Sequence, residues 1–560
     1  MSYAKPASTS DEHSLSHKML FWASFFTLIA AGIGFSVRGA ILKDWGNQFG
    51  FTQSELGDIT GGGLTGFGIT IIVLSFVADR IGYGKLMLLA FVLHASSAVV
   101  TFAATPIYAI YGKEGAFWCL NIGMWLFALG NGTCEAVINP LTATLFPKNK
   151  THWLNILHAG WPGGLILGAL ITLGFNQVGG IRWEIKLGVF LLPVLLYGFM
   201  MFNRPFPVSE ASRSGVSVGT MLITLVSPIL ILLWILHALV GYVELGTDSW
   251  IVNITERVLS SEQGGSISFE TKALLAFIWT NLLMFALRFF AGPIVHKINP
   301  VGLLFASAVL GTAGLYMLGQ PFTNSTWPWV LAVTVYGIGK TFYWPTLLGV
   351  ISERFPRAGA IALGISGGIG MLSAGLLGGP GIGYKQDYFA VQKIQELSKD
   401  TYDRYLARNE KGEPDPKGFP IVSRIAPSAV PPVAGLDNAK LKVFDDYGGV
   451  LADQAKGKPD AKTTLESDLA TVQKLKAEGK TVEPKLEANL QGLKKWWDDK
   501  GKPHYPDDKP KLGESRLYGA KQALLYTAGV PAIMAIGFLI LIVVFAMQGG
   551  YKQVHIDDKH

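Results

Sequence analysis

The feature that most limits this chain is a succession of twelve apolar runs, each roughly 20 residues or longer, the length a helix needs to cross the hydrocarbon core of a bilayer. They lie near residues 19–42, 54–78, 86–105, 116–146, 154–176, 185–202, 218–250, 271–295, 300–319, 327–352, 358–384 and 519–547. Water cannot satisfy backbone N–H and C=O groups in lipid, so runs of this length predict α-helices, whose bonds close within the segment. Only 16% of the residues are charged, and they gather between the runs, while 50% are hydrophobic. The expected fold class is an all-α polytopic membrane protein with twelve transmembrane helices, held in a lipid bilayer.

A polar tail, 1–18, leads straight into the first run without a small-residue cleavage site, so that run is expected to stay as a helix. The remaining boundaries divide the chain into a first six-helix bundle at 19–203, a linker at 204–217, helices seven to eleven at 218–384, a polar insert at 385–518, the twelfth helix at 519–547 and a tail at 548–560. Arg80, Lys85, Lys148, Lys150, Arg204, Arg213, Lys297, Arg354 and Arg357 all fall in alternate short connections. Lys43, Lys113, Arg182, Lys186, Arg257 and Lys272 flank the opposite side, so the bias is modest; it predicts cytoplasmic termini, and the expected location is a cell (inner) membrane. The insert then lies outside, where an external partner is conceivable. Its stretch from Thr463 to Asp499 spaces leucines and aromatics among charges as a helical hairpin would.

The net charge of +7 comes with no basic stripe and no nucleic-acid-binding signature, so loop lysines and arginines account for it and nucleic acid is not an expected partner. Cys119 and Cys134 share one apolar run and suit neither a disulfide framework nor a zinc site. There is no Gly-x-Ser-x-Gly nucleophile turn with partners, no phosphate-cradling Gly-rich lysine loop and no Cys/His cluster. The chain is expected to be no enzyme, to hold no cofactor or metal, and to depend on gradients instead of ATP.

The two halves contain related stretches. Gly132-Thr-Cys-Glu135-Ala-Val-Ile-Asn139-Pro140 and Gly337-Ile-Gly-Lys340-Thr-Phe-Tyr343-Trp-Pro345 bring their prolines into line at an offset of 205. Each is followed by a basic loop with Phe-Pro, at Phe146-Pro147 and Phe355-Pro356, and then by a Gly-rich helix with Gly163-Gly164 or Gly367-Gly368. Duplicated halves place a solute path at their interface and rock about it.

Between the second and third runs stands Ala78-Asp79-Arg80-Ile81-Gly82-Tyr83-Gly84-Lys85. This segment resembles the loop motif of the major facilitator superfamily. The resemblance implies two pseudo-symmetric six-helix bundles, with Asp79, Arg80 and Lys85 as gating residues that latch neighbouring helix ends. Glu135 to Pro140, Phe146-Pro147, Leu154-Asn155, Gly163-Gly164 and Gly168 together resemble the fourth and fifth helices of the fucose and glucose/galactose permease family. That narrower resemblance implies sugar transport by symport with a cation, proton or sodium, and puts Glu135 in the substrate cavity. One departure is plain: the family carries an acid late in its first helix, whereas this chain has Arg38.

Ionisable side chains at membrane depth are costly unless paired or hydrated, which marks Arg38, Glu135, Arg288 and Lys340 as candidates for substrate binding or coupling. Glu135 and Lys340 occupy matching places in the repeat, so an ion pair between halves is expected, with a permanent Glu135–Arg38 pair as the second reading. Arg288 either faces the cavity or snorkels to a helix end. Glu244 and Asp248 are read as facing an outer vestibule. His158 and Trp161 can bond and stack on a sugar, Asn281 and Tyr343 add polar groups, and Asn139-Pro140 and Trp344-Pro345 are read as helix breaks. The expected ligand is a small polar solute, most simply a sugar moved with a cation gradient; a small organic anion held by the arginines and lysine is the alternative.

Overall fold

The computed structural model describes residues 9–49, 51, 56, 59–60, 63–178, 180–260, 269–409, 411–419, 422–455, 462–477 and 484–556. Two compact units emerge, one formed by 1–379 with 525–560 and the other by 380–524.

All twelve apolar stretches are helical where they are described. In the first unit these are α1 (Thr9–Ala40), α2 (Gly63–Ser75), α3 (Tyr83–Phe102), α4 (Ala104–Leu145), α5 (Lys150–Val178) and α6, which is broken into Trp183–Gly188 and Leu191–Met201. The second half repeats the plan with α7 (Pro228–Leu259), α8 (Phe269–Arg288), α9 (Ala291–Leu318), α10 (Thr326–Lys340 continued by Tyr343–Arg354), α11 (Gly359–Ser373) and α12 (Gly529–Met547). Nine helical stretches among the described residues are individually long and apolar enough to cross a membrane. The three helices outside that count are α2, described for only a short span, α10, interrupted at Thr341–Phe342, and α4, whose run carries the non-helical Gly112. Large apolar side chains such as Phe199, Leu192 and Ile536 are exposed, as a lipid-facing surface requires.

The repeat is visible in how the helices pair. In the first half α1 packs along α5 and α3 along α4; in the second, α7 packs along α11 and α9 along α10. Across the halves, α2 meets α11 and α5 meets α8, which are again equivalent pairs. Within lipid no hydrophobic force drives helices together, so close contact depends on small residues. Gly164 shows this: a Cβ there would collide with the backbone of Ile29 and lie 2.9 Å from Cα of Gly32. Gly241 plays the equivalent part against Gly370 in the second half.

The expected break at Asn139-Pro140 does not occur. α4 runs through Pro140 with helical geometry, and its one non-helical residue is Gly112. A proline removes one bond but need not end a helix when its neighbours pack well. α10 does break, two residues before the expected Trp344-Pro345.

In the second unit, helices Thr464–Ala477 and Pro484–Trp496 pack against one another and are joined by the Lys476–Glu487 ion pair at 2.5 Å. Its core includes Tyr405, Phe444, Trp497, Tyr505 and Leu512. Arg404 contacts the buried Asp508 carboxylate at 2.8 Å.

The glycine contacts make a prediction. Gly164→Ala should lower the melting temperature of the protein in detergent by several degrees, whereas Gly174→Ala, on the exposed side of the same helix with open space beside it, should leave it unchanged or slightly raised. Equal melting of both variants would show that the α1–α5 approach does not limit stability.

Candidate functional site

A small cavity lies between the two halves. Glu135, His158 and Trp161 line it from the first half, and Glu244, Leu245, Arg288, Trp344 and Met371 from the second.

The first-half wall is a hydrogen-bonded relay. Asn139, one turn beyond Glu135 on α4, donates Nδ2–H to Glu135 Oε2 at 2.6 Å. Its Oδ1 then faces His158 Nε2 at 2.8 Å, so this amide orientation places the imidazole proton on Nε2 and leaves Nδ1 as an acceptor. Glu135, Asn139 and His158 are all buried. Trp161 stands one turn further along α5, edge-on to Phe35 at 5.1 Å.

Arg288 organises the second wall, and the prolines explain how. A proline has no N–H, so the carbonyl four residues earlier loses its helical partner. Pro162 in α5 deprives the His158 carbonyl, and Pro345 in α10 deprives that of Thr341. Arg288 takes both: Nη1–H donates to His158 O at 2.6 Å and Nε–H to Thr341 O at 2.8 Å. Its Nη2 pairs with Glu244 Oε1 at 3.2 Å. One guanidinium thereby joins α5 of the first half to α7, α8 and α10 of the second. Arg288 is only 1% exposed, so it does not snorkel to a helix end. Glu244 Oε2 is buried without a partner among the described residues.

Several expected arrangements are corrected. Lys340 does not meet Glu135; it forms an ion pair with Asp248 and is fully buried. Glu244 and Asp248, at i and i+4 on one face of α7, therefore serve as carboxylate partners of Arg288 and Lys340 instead of facing a vestibule. Arg38 does not meet Glu135 either. It lies over the Phe127 ring at 3.9 Å, with Nη2 donating to Ser97 Oγ at 3.2 Å, inside the first bundle. Tyr343 donates to Ser307 O at 3.0 Å and Asn281 to Phe277 O at 2.9 Å, so both pack within the second half and line no part of the cavity.

Of the three expected gating residues, Asp79 accepts from Tyr83 Oη at 3.2 Å and lies beside Gly359, which opens α11 in the other half. An acid at that helix start is stabilised by the unpaired N–H groups there. Arg80 and Lys85 are exposed and form no ion pair among the described residues. A different set closes the seam near this face. Lys150 Nζ pairs with Glu210 at 2.6 Å, and Thr151 donates to Glu353 Oε1 through N–H at 3.1 Å and Oγ1 at 2.6 Å. Asn155 Nδ2 bonds Thr346 Oγ1 across the seam at 3.1 Å.

Residues 24–379 match the family model described as Major Facilitator Superfamily. The chain belongs to this superfamily. Among solved structures, the E. coli fucose:proton symporter FucP superposes with a TM-score of 0.53 at 15% identity, over 67% of this chain and 93% of that one. The proton:xylose symporter XylE gives 0.53 at 15% identity, over 64% and 87%. A bacterial homologue of the human lysosomal transporter Spinster gives 0.53 at 14%, over 99% and 100%. At these identities the likeness establishes the fold alone. No curated protein sequence matches the chain. The protein is thus a multi-pass membrane transporter with the major facilitator fold.

The Arg288–Glu244 pair gives a direct test. Arg288→Met leaves Glu244 charged and buried, a loss of about 3–5 kcal/mol. Adding Glu244→Gln should recover much of it, read as a double-mutant cycle from unfolding in detergent. Additive losses would mean the two side chains are not coupled.

Proposed function

We propose that the protein is a secondary active transporter of a neutral, hydroxyl-rich solute, a sugar or sugar-like compound, moved by alternating access and coupled to a cation gradient. The observation that carries this reading is the unused bonding capacity of the cavity. Arg288 is engaged by two carbonyls and Glu244, while Lys340 is engaged by Asp248. Glu244 Oε2 and, in the tautomer set by Asn139, His158 Nδ1 remain open as acceptors among the described residues. A ligand that brings donors, as hydroxyl groups do, satisfies them. Trp161 and Trp344 supply flat faces suited to a sugar ring.

The same facts weigh against an organic anion. Two carboxylates and one guanidinium line the cavity, an excess of negative charge that an anion would meet without a free cation to offset it. That excess instead favours a proton or sodium ion as the coupling species, with Glu135 as its site. The names of the fold neighbours, proton:xylose and fucose:proton symporters, point the same way.

In this reading both termini are cytoplasmic and the unit formed by 380–524 is an external accessory domain. Arg38, Asn281 and Tyr343 support their bundles, and Asn139, His158, Trp161 and Arg288 shape the cavity.

Glu135→Gln should abolish accumulation of a transported sugar in proteoliposomes while leaving sugar exchange across the membrane at a rate within a few-fold of wild type. Accumulation at the wild-type level, with the same pH dependence, would remove Glu135 from the coupling role. Replacing 386–517 by a short Gly/Ser bridge should spare uptake when normalised to membrane level. Loss of uptake in a well-inserted variant would make that unit part of the transport path.

A further inference from the structure

The seam closed by Lys150, Thr151 and Glu353 carries one more layer, supplied by the C-terminal tail. α12 ends at Met547, and Gly549 and Gly550 follow with φ of 86° and 97°, a conformation side chains rarely adopt. The Gly550 amide bonds Phe545 O at 2.8 Å, and the chain turns back on the helix end it has just left. Tyr551 then packs edge-on against Phe545 at 5.5 Å.

From this turn the tail bonds both halves. On the second half, Tyr551 Oη donates to Glu353 Oε2 at 2.7 Å and the Val554 amide to Glu353 O at 2.9 Å, a carbonyl in the last turn of α10. Arg354 donates to Lys552 O at 2.7 Å, and Arg357 to Ile556 O at 3.0 Å. On the first half, Gln553 Nε2 donates to Pro147 O at 2.6 Å, in the loop after α4. Glu353 is the junction, because its other oxygen accepts both bonds from Thr151 of α5. Its carboxylate is thus shared by the first half, the second half and the tail.

We propose that residues 548–556 form a strap that holds this mouth of the transporter closed, with Tyr551 and Gln553 as gating residues. Separating the halves here requires Thr151 to leave Glu353 and Pro147 to leave Gln553, so opening must strip or carry off the tail. The strap acts by position: Tyr551 fixes the Glu353 carboxylate towards Thr151, and Gln553 spans to the opposite loop. A tail that merely covered the surface would need no contact with the first half and no bond to the carboxylate that spans the seam.

The test uses the full chain purified in detergent, with Cys119 and Cys134 replaced by serine and Thr346→Cys as a reporter, since Thr346 is fully buried where α10 faces Asn155 of α5. Labelling by N-ethylmaleimide reads how often the seam opens. Combining Tyr551→Phe with Gln553→Ala should accelerate labelling by roughly tenfold, the change expected from losing one carboxylate bond, with the second bond adding to it. Termination after Met547 should do the same, and a synthetic peptide of residues 548–556 should slow the truncated protein again. Tyr551→Phe keeps the ring against Phe545, so an unchanged melting temperature with faster labelling separates gating from loss of fold. Labelling at the background rate in the double point variant overturns the proposal, whether or not the truncated chain folds.

Discussion

The structure turns on where a buried guanidinium finds its acceptors. An arginine at membrane depth is expensive to hold, and Arg288 is held by a carboxylate and two carbonyls that lack helical partners because prolines stand four residues downstream. Those bonds position α5, α7, α8 and α10 about the cavity. The bond to His158 O is the one that crosses between halves, so it must be broken or rearranged whenever the halves move apart at this level. The other two stay within the second half and can persist.

Charge neutralisation is likewise arranged mostly inside one half. The i, i+4 pair of Glu244 and Asp248 on α7 serves Arg288 and Lys340, so the second bundle balances its own cations and leaves Glu135 free of a charged partner across the interface. Arg38 lies within the first bundle, where aromatic faces and Ser97 take the place of an acid. The open acceptors of the cavity follow from this arrangement. At the seam the logic is reversed: Glu353 accepts from the other half and from the tail, so that mouth is closed by bonds that movement must break.

The span positions, the duplication and the superfamily were legible in the sequence because each rests on patterns along the chain: apolar runs of fixed length, recurring Pro and Gly positions, and the Asp79–Lys85 loop. The cavity was legible in part. Glu135, Asn139, His158, Trp161 and Arg288 are indeed brought together, but the pairing of Lys340 was not foreseeable from its repeat position. Helical phase decides that pairing, since Asp248 shares a face of α7 with Glu244 and so comes within reach. Pro162 was a visible signal that went unused. Its meaning depends on a donor from α8, far away in sequence, arriving at the carbonyl it leaves bare.

Uptake by vesicles tests the central claim most directly. Labelled neutral sugars and labelled organic anions would be offered to proteoliposomes with and without an imposed proton or sodium gradient. The account predicts that at least one neutral sugar accumulates only when a gradient is present, and that organic anions neither accumulate nor compete. Gradient-driven accumulation of an organic anion, with every neutral sugar excluded, would contradict it.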